Sequence, residues 1–214
     1  MSTGRRRRGA PRRGESSARE RLVATVAELF YREGVRAVGV DAVVERSGVS
    51  KSSLYRTFES KDDLIAAFAE EHNRRYWQWW DGVVNARAGS PRARAEALFK
   101  AVAKQVSHPQ FRGCPFINLA TEIPDREHPG AAIARANKQE LRRRLHELSR
   151  DLGARDPRRL AEQLALIIDG AYGRGVTLGA RGLGRELLEM VRLVVDAAVE
   201  GREHKGGASP SHPR

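Results

Sequence analysis

The stretch from residue 40 to residue 58 constrains the fold more than any other part of this 214-residue chain. Apolar side chains recur there at helical spacing in two short groups, with polar and charged residues between them. Each group therefore predicts a short helix with one apolar face. The apolar residues are Val40, Val43 and Val44 in the first group, and Leu54 and Phe58 in the second.

The junction between the two groups is a corner of the sequence Ser47-Gly48-Val49-Ser50. Gly48 can adopt the positive φ that closes a helix. Val49 is placed to fill the angle between the two helices, and Ser50 is a typical N-cap for the second. Two short helices joined by such a corner predict a helix-turn-helix.

The second helix carries hydrogen-bonding side chains all along its non-core face. A polar helix face is usually just solvated. Here the face follows a capped, glycine-turned corner, which favours a helix that enters the major groove of DNA. The candidate DNA-binding residues on it are Lys51, Ser52, Ser53, Tyr55, Arg56 and Thr57.

Residues 34–64, and above all the run from Gly48 to Leu64, closely resemble the N-terminal domain of TetR-family transcriptional regulators. The resemblance implies that the side chains at 51, 52, 55, 56 and 57 face DNA and that Lys61 holds a phosphate. It also implies a dimer that binds a palindromic operator, most often as a repressor released by a small-molecule effector.

The composition fits an all-α fold, since no sustained alternation of apolar and polar residues predicts a strand. We expect an N-terminal three-helix helix-turn-helix domain at 15–61. By resemblance, a linking helix joins it to a larger helical ligand-binding and dimerisation domain within 62–200. The ends at 1–14 and 201–214 lack core-forming residues and should be disordered.

The formal net charge of +12 points to a polyanionic partner. Residues 1–14 hold six arginines and no acid, whereas residues 15–60 hold seven basic and seven acidic side chains. The arginine-rich arm is either a contact to the minor groove or a solvated tail, and we favour the contact.

Catalysis and metal binding have little support in the sequence. No nucleophile-base pattern or phosphate-binding glycine loop stands out, and no cofactor is expected. His108, Cys114, Glu122, Asp125 and His128 are competent metal ligands, but they lack the tight Cys/His spacing of a zinc site. The single cysteine and the absence of a long apolar run favour a protein of the cytosol without disulfides.

Further helices are expected to start near Ser17, Ser60, Pro91, Pro115, Gly130, Pro157 and residue 185, with ends near Tyr31, Gly82, Val106, Ile123, Leu152, 179 and 200. The second of these is rich in aromatic rings near its end, which either pack between helices or line a pocket. The candidate ligand-binding residues are Trp77, Trp80, Phe99, Phe116 and Tyr172.

The last two helices carry apolar surfaces that are broad for the outside of a monomer, so we expect them to form a two-fold interface with a second copy. Gly170, Gly173 and Gly175 should weaken the first of them, unless close helix approach or a local break requires them. Two other functions stay open at this stage: an enzyme that turns over its ligand, and an architectural DNA-binding protein without an effector.

Overall fold

The computed structural model describes residues 16–85 and 89–199, so the predictions made for 1–14 and 201–214 lie outside the described residues. Within the described ranges all regular structure is helical, as the sequence predicts. The nine helices there are α1 Ala18–Glu33, α2 Val40–Ser47, α3 Lys51–Thr57, α4 Lys61–Val84, α5 Pro91–Val106, α6 Pro115–Glu122, α7 Pro129–Asp151, α8 Pro157–Leu178 and α9 Leu183–Val199. Their boundaries lie within two residues of the predicted ones.

Local side-chain caps explain where the first helices begin. Ser17 and Glu20 form a capping box at the start of α1, in which each side chain binds the backbone N–H of the other residue. Ser60 and Asp63 form the same arrangement at the start of α4. Both helix starts are therefore specified by residues three apart in the chain.

Helices α1 to α3 form a three-helix head that rests on α4. Val43 and Leu54 are fully buried inside it, and Phe30 of α1 meets Phe68 of α4 edge to face, with ring centroids 5.8 Å apart. Burial of these apolar side chains holds α2 and α3 against α1, and α1 against α4.

The second part of the molecule is built from α5 to α9. Helix α7 packs against both α4 and α8, and α9 packs against α5 and α8. One buried apolar cluster runs without interruption from the head into these helices. Because the core is continuous, the predicted boundary between residues 61 and 62 stays a prediction.

Helix α8 is continuous through its three glycines, so the predicted local break is wrong. The predicted close approach is correct at Gly175, where an added Cβ would lie 2.2 Å from Val106 Cγ1 of α5. It is wrong at Gly170 and Gly173 as far as residues 16–85 and 89–199 are concerned, because both are exposed and no atom of those residues lies near an added Cβ.

Candidate nucleic-acid interface and inner cavity

The corner before α3 is built as the sequence predicts. Gly48 has a left-handed φ of 64° and closes α2. Val49 is buried beneath the corner, and the hydroxyl of Ser50 accepts a hydrogen bond from the backbone N–H of Ser53 at 3.3 Å. With Leu54 also fully buried, the opposite side of α3 must face solvent.

Four of the six candidate residues on α3 are exposed on that side: Lys51, Ser52, Tyr55 and Arg56. Tyr55 keeps 47% of its surface in solvent, although tyrosine is normally well covered. A ring and a guanidinium side by side on an exposed helix can reach base edges and phosphates.

Ser53 and Thr57 are half-buried, and their hydroxyls are engaged within α3. The hydroxyl of Thr57 donates to the backbone carbonyl of Ser53 at 2.8 Å. The Ser53 hydroxyl accepts from the Arg56 guanidinium at 3.1 Å. Sequence reasoning treated all six polar residues alike, whereas these two lie at the edge of the exposed face.

Two lysines are candidates for phosphate contacts. Lys51 pairs with Asp41 of α2 at 2.7 Å, and this hydrogen bond raises the pKa of the lysine. Because both groups are largely exposed, the pair is weak, and a phosphate could replace Asp41. Lys61 is the first residue of α4, directly after the Ser60 cap.

The five rings predicted to bind a ligand do not come together at one cavity. Phe99 is fully buried in the core, and Phe116 is buried with its ring 6.2 Å from the ring of Tyr76. Trp80 is buried at a polar surface cleft beside Arg94 and Asp151.

The other two rings differ in their surroundings. Trp77 lies against the Arg144 guanidinium, 4.3 Å from ring centroid to Cζ, and donates its indole N–H to Asn73. Tyr172 alone among the five borders the inner cavity described next, and its hydroxyl donates to Gln105 Oε1 at 2.9 Å.

The inner cavity lies between the head and the second part of the molecule and has a volume of about 290 Å³. An outer cavity of about 550 Å³ adjoins it and shares four of its lining residues. The inner cavity is lined by Tyr31, His72, Arg75, Tyr76, Trp79, Gln105, Gly113, Cys114, Pro115 and Tyr172. Sequence reasoning selected Trp77 and Trp80, but the neighbouring Tyr76 and Trp79 face the cavity because they lie on another side of α4.

Several hydrogen bonds join the head to the cavity walls. The Tyr31 hydroxyl of α1 donates to the carbonyl of Gly113 at 3.1 Å and accepts from the N–H of Arg112 at 2.9 Å. His72 Nε2 of α4 donates to the carbonyl of Ala27 at 3.1 Å. Burial lowers the pKa of His72, which keeps it neutral.

A further contact joins the end of α6 to the loop after α1. The Glu122 carboxylate accepts a hydrogen bond from the backbone N–H of Arg36 at 3.0 Å. It also lies over Gly34, where an added Cβ would be 2.9 Å from Glu122 Oε2. Sequence reasoning missed Tyr31, His72 and Glu122 as residues that join the two parts, because their partners are 45 to 86 positions away.

The five candidate metal ligands occupy separate places. Cys114 is buried before α6, where burial raises its pKa, and Glu122 binds the head. His128 caps α7 by accepting from the N–H of Gly130, and its other ring nitrogen lies 3.3 Å from Asp62 of α4. Across residues 16–85 and 89–199, no three His, Cys, Asp or Glu side chains are grouped as metal ligands would be.

The helices in the described part of the chain are all too short or too polar to cross a membrane.

Comparison with known proteins places the head in a family. Residues 22–68 match the family model for bacterial regulatory proteins of the tetR family. The chain is 29% identical over 112 residues to the transcriptional repressor NemR of Escherichia coli. That match covers 52% of this chain and 56% of NemR, so the chain spans little more than half the length of this curated relative.

Two solved structures resemble the whole fold. A TetR-family transcriptional regulator from Streptomyces coelicolor is 28% identical with a TM-score of 0.80, and covers 85% of this chain and 95% of its own. A TetR-type transcriptional regulator from Streptomyces avermitilis is 36% identical with a TM-score of 0.75, over 86% of this chain and 98% of its own. With the exposed polar face on α3 and this likeness over nearly its whole described length, the chain belongs to the TetR family of transcriptional regulators.

Proposed function

We propose that this regulator is a dimeric repressor that binds a palindromic operator through α3 of each subunit and leaves it when a small molecule fills the inner cavity. In this proposal residues 15–61 bind DNA, and residues 62–200 hold the effector and the dimer interface. The observation that carries it is the exposed face of α3, held outward by the burial of Val49 and Leu54.

The DNA contacts divide by chemistry. Tyr55 and Arg56 supply base contacts, because they are exposed in the middle of the face. Lys51, Ser52 and Lys61 bind phosphates and set the register of the helix in the groove. Ser53 and Thr57 lie at its edge and orient their neighbours through the bonds within α3.

The dimer is supported by an apolar face on α8 and α9 that no described part of the subunit covers. Leu166 of α8 is 71% exposed, and Leu193 and Met190 of α9 are 60% and 52% exposed. Gly170 and Gly173 lie four and seven residues after Leu166, on the same side of α8, with open space above them. A helix of a second copy could approach closely there, as a self-complementary interface requires.

A two-fold dimer of this kind presents two copies of α3. For both to enter successive major grooves on one side of the duplex, they must lie about 34 Å apart or slightly more. The operator should then have two inverted half-sites whose centres are about one helical turn apart.

Release by an effector is supported by the position of the inner cavity. Its walls include Tyr31 of the head and four side chains of α4. A molecule bound there would contact the head and the linking helix at once. It shifts the population away from the DNA-binding arrangement only if it binds the other arrangement more tightly.

Two rival functions were an enzyme and an architectural DNA-binding protein. As a TetR-family member the chain is a transcriptional regulator and not an enzyme. An architectural DNA-binding role without an effector is separated from our proposal by a footprint: two symmetric protected half-sites contradict it, whereas uniform protection supports it.

The decisive experiment is selection of bound sequences from random DNA by the purified protein, followed by affinity measurements on the selected operator. Replacing both Tyr55 and Arg56 with alanine should lower operator affinity by at least about 100-fold, since base contacts contribute ~1–3 kcal/mol each and both subunits of the dimer lose theirs. Arg92→Ala on α5 is the matched control, because it also removes one exposed arginine and should leave the operator affinity unchanged. Retention of sequence-selective binding by the Tyr55/Arg56 double variant would refute the proposed recognition face.

A further inference from the structure

The inner cavity is walled by aromatic rings. Tyr76 and Trp79 of α4 lie side by side with ring centroids 5.4 Å apart, while Tyr31 of α1 and Tyr172 of α8 complete the walls. Rings of this kind bind flat conjugated molecules by offset stacking and edge contacts. A volume of about 290 Å³ suits one or two fused rings better than a large polycyclic molecule.

The polar atoms that face this cavity are mostly hydrogen-bond donors. Gln105 Oε1 already accepts from Tyr172, and its side-chain NH₂ remains a donor without a partner in the described part of the chain. The Tyr76 hydroxyl has no hydrogen-bond partner among the described residues. Burial raises the pKa of Tyr76, so the hydroxyl keeps its proton and can donate.

One charged side chain lines the inner cavity, and it is positive. Arg75 Nε lies 2.6 Å from Glu71 Oε1, and Arg74 Nη2 lies 2.7 Å from the same oxygen. Two guanidiniums therefore share one carboxylate. The two arginines lower the pKa of Glu71 to about 2, so the group of three keeps a net charge of +1. Asp and Glu are absent from the described side chains that line the cavity.

The charge distribution disfavours a cationic ligand, although aromatic cages can also bind cations. Asp169 does not line the cavity, but its negative charge helps to raise the pKa of Tyr76. Its carboxylate is paired with Lys138, with Nζ and Oδ1 2.5 Å apart. An uncharged aliphatic ligand would leave the donors of Tyr76 and Gln105 without partners in a mostly apolar site, which is unfavourable.

We propose that the effector of this protein is a planar aromatic carboxylate, whose ring packs against Tyr76, Trp79 and Tyr172 and whose carboxylate accepts from Arg75, Tyr76 and Gln105. The inference rests on the effector role proposed above and adds the chemical class of the ligand. A carboxylate suits the site because its two oxygens accept several hydrogen bonds and its charge balances the excess guanidinium.

Three probes of similar shape test the class by calorimetric titration of the full-length protein without DNA. They are 2-naphthoate, 2-naphthylmethylammonium and decahydronaphthalene-2-carboxylate. We expect 2-naphthoate to bind at least about tenfold more tightly than the other two, because only it combines a flat ring with an acceptor. Equal affinities, or tighter binding of the ammonium probe, would overturn the inference without any variant.

Gln105→Glu is the sharpest variant. The new carboxylate can still accept from the Tyr172 hydroxyl, so the wall is preserved, but a negative charge replaces the free donor. We expect the affinity for 2-naphthoate to fall by more than about tenfold and that for the ammonium probe to rise. Unchanged binding of 2-naphthoate in a variant with a normal melting temperature contradicts the inference.

Arg75→Gln tests the charge, with Arg74→Gln as its matched control. Both arginines pair with Glu71 from the same helix, but only Arg75 lines the cavity. Loss of 2-naphthoate affinity in the Arg75 variant alone supports the site. Equal loss in both variants would mean that the effect comes from helix α4 and not from the ligand contact, which overturns the assignment of Arg75.

The same samples separate this inference from the proposed function. If 2-naphthoate does not bind but the operator does, the ligand class is wrong and the DNA-binding role stands. If 2-naphthoate binds with the expected preferences yet leaves operator affinity unchanged, the ligand class is supported and release by the effector is contradicted.

Discussion

The contact between Gly34 and Glu122 permits a prediction whose magnitude follows from the geometry. Gly34 has φ 93° and ψ 150°, a backbone conformation that is open almost only to glycine. A Cβ at this position would lie 2.9 Å and 3.1 Å from the two oxygens of Glu122. Gly34→Ala must therefore strain the loop after α1 and push the carboxylate away from the backbone N–H of Arg36.

The two effects have separate magnitudes. Placing alanine at this positive φ costs about 1–2 kcal/mol. Displacing Glu122 removes one hydrogen bond between a carboxylate and a backbone N–H at the surface, worth about 1 kcal/mol. We expect Gly34→Ala to lower the free energy of unfolding by ~2–3 kcal/mol in total.

A double-mutant cycle isolates the second effect. In a Glu122→Ala background the hydrogen bond is already absent and the space above Gly34 is free. Gly34→Ala should then cost only the strain of about 1–2 kcal/mol, and the difference of ~1 kcal/mol between the two backgrounds measures the contact.

Urea unfolding followed by far-ultraviolet circular dichroism gives the four free energies. Gly39→Ala is a control, because Gly39 has an ordinary φ of −82° and no atoms near an added Cβ. If Gly34→Ala costs the same with and without the Glu122 side chain, the carboxylate does not hold the head, and the reasoning fails.

Three further predictions concern assembly, pH and the arginine arm. Leu166→Glu combined with Leu193→Glu should give a monomer in analytical ultracentrifugation, because burial of each exposed leucine in the dimer would contribute ~1.5–3 kcal/mol to its stability. The control Ile117→Glu on α6 should stay dimeric. Because burial lowers the pKa of His72, the unfolded chain binds a proton at this histidine more readily than the folded chain, so stability should fall as the pH drops below about 6.5. The melting temperature of His72→Gln should decline less over the same pH range, and an equal decline would count against this account. Deleting residues 2–14 should weaken operator binding and reduce the slope of log affinity against log salt by up to about 5 for each arm of the dimer, whereas an unchanged slope would mean that the arm does not contact DNA.

The features that the sequence predicts well depend on residues close together in the chain. The caps at Ser17, Ser50 and Ser60 act over three residues, and Gly48 acts on its own helix. For this reason the helix-turn-helix and the face of α3 follow from pattern alone. The half-buried positions of Ser53 and Thr57, by contrast, depend on how α3 packs in the head, which the local sequence pattern does not reveal.

The inner cavity could not be predicted because distant segments define it. Tyr31 meets the loop before α6 across 82 positions, and Glu122 meets Arg36 across 86. A list of aromatic residues near the end of α4 does not reveal which side of the helix faces the cavity. Phe99 illustrates the limit, since its ring is fully enclosed by the core.

The length of α4 has a mechanical consequence for regulation. Its 24 residues form one uninterrupted helix of about 36 Å, with Lys61 at one end and the ring-rich segment towards the other. If the far end stays fixed, a tilt of the whole helix by about 5° displaces its first residue sideways by ~3 Å, because the displacement is the helix length multiplied by the sine of the angle. Such a displacement exceeds the tolerance of a hydrogen bond to phosphate, so a tilt of α4 by a few degrees would break the contact proposed between Lys61 and the duplex.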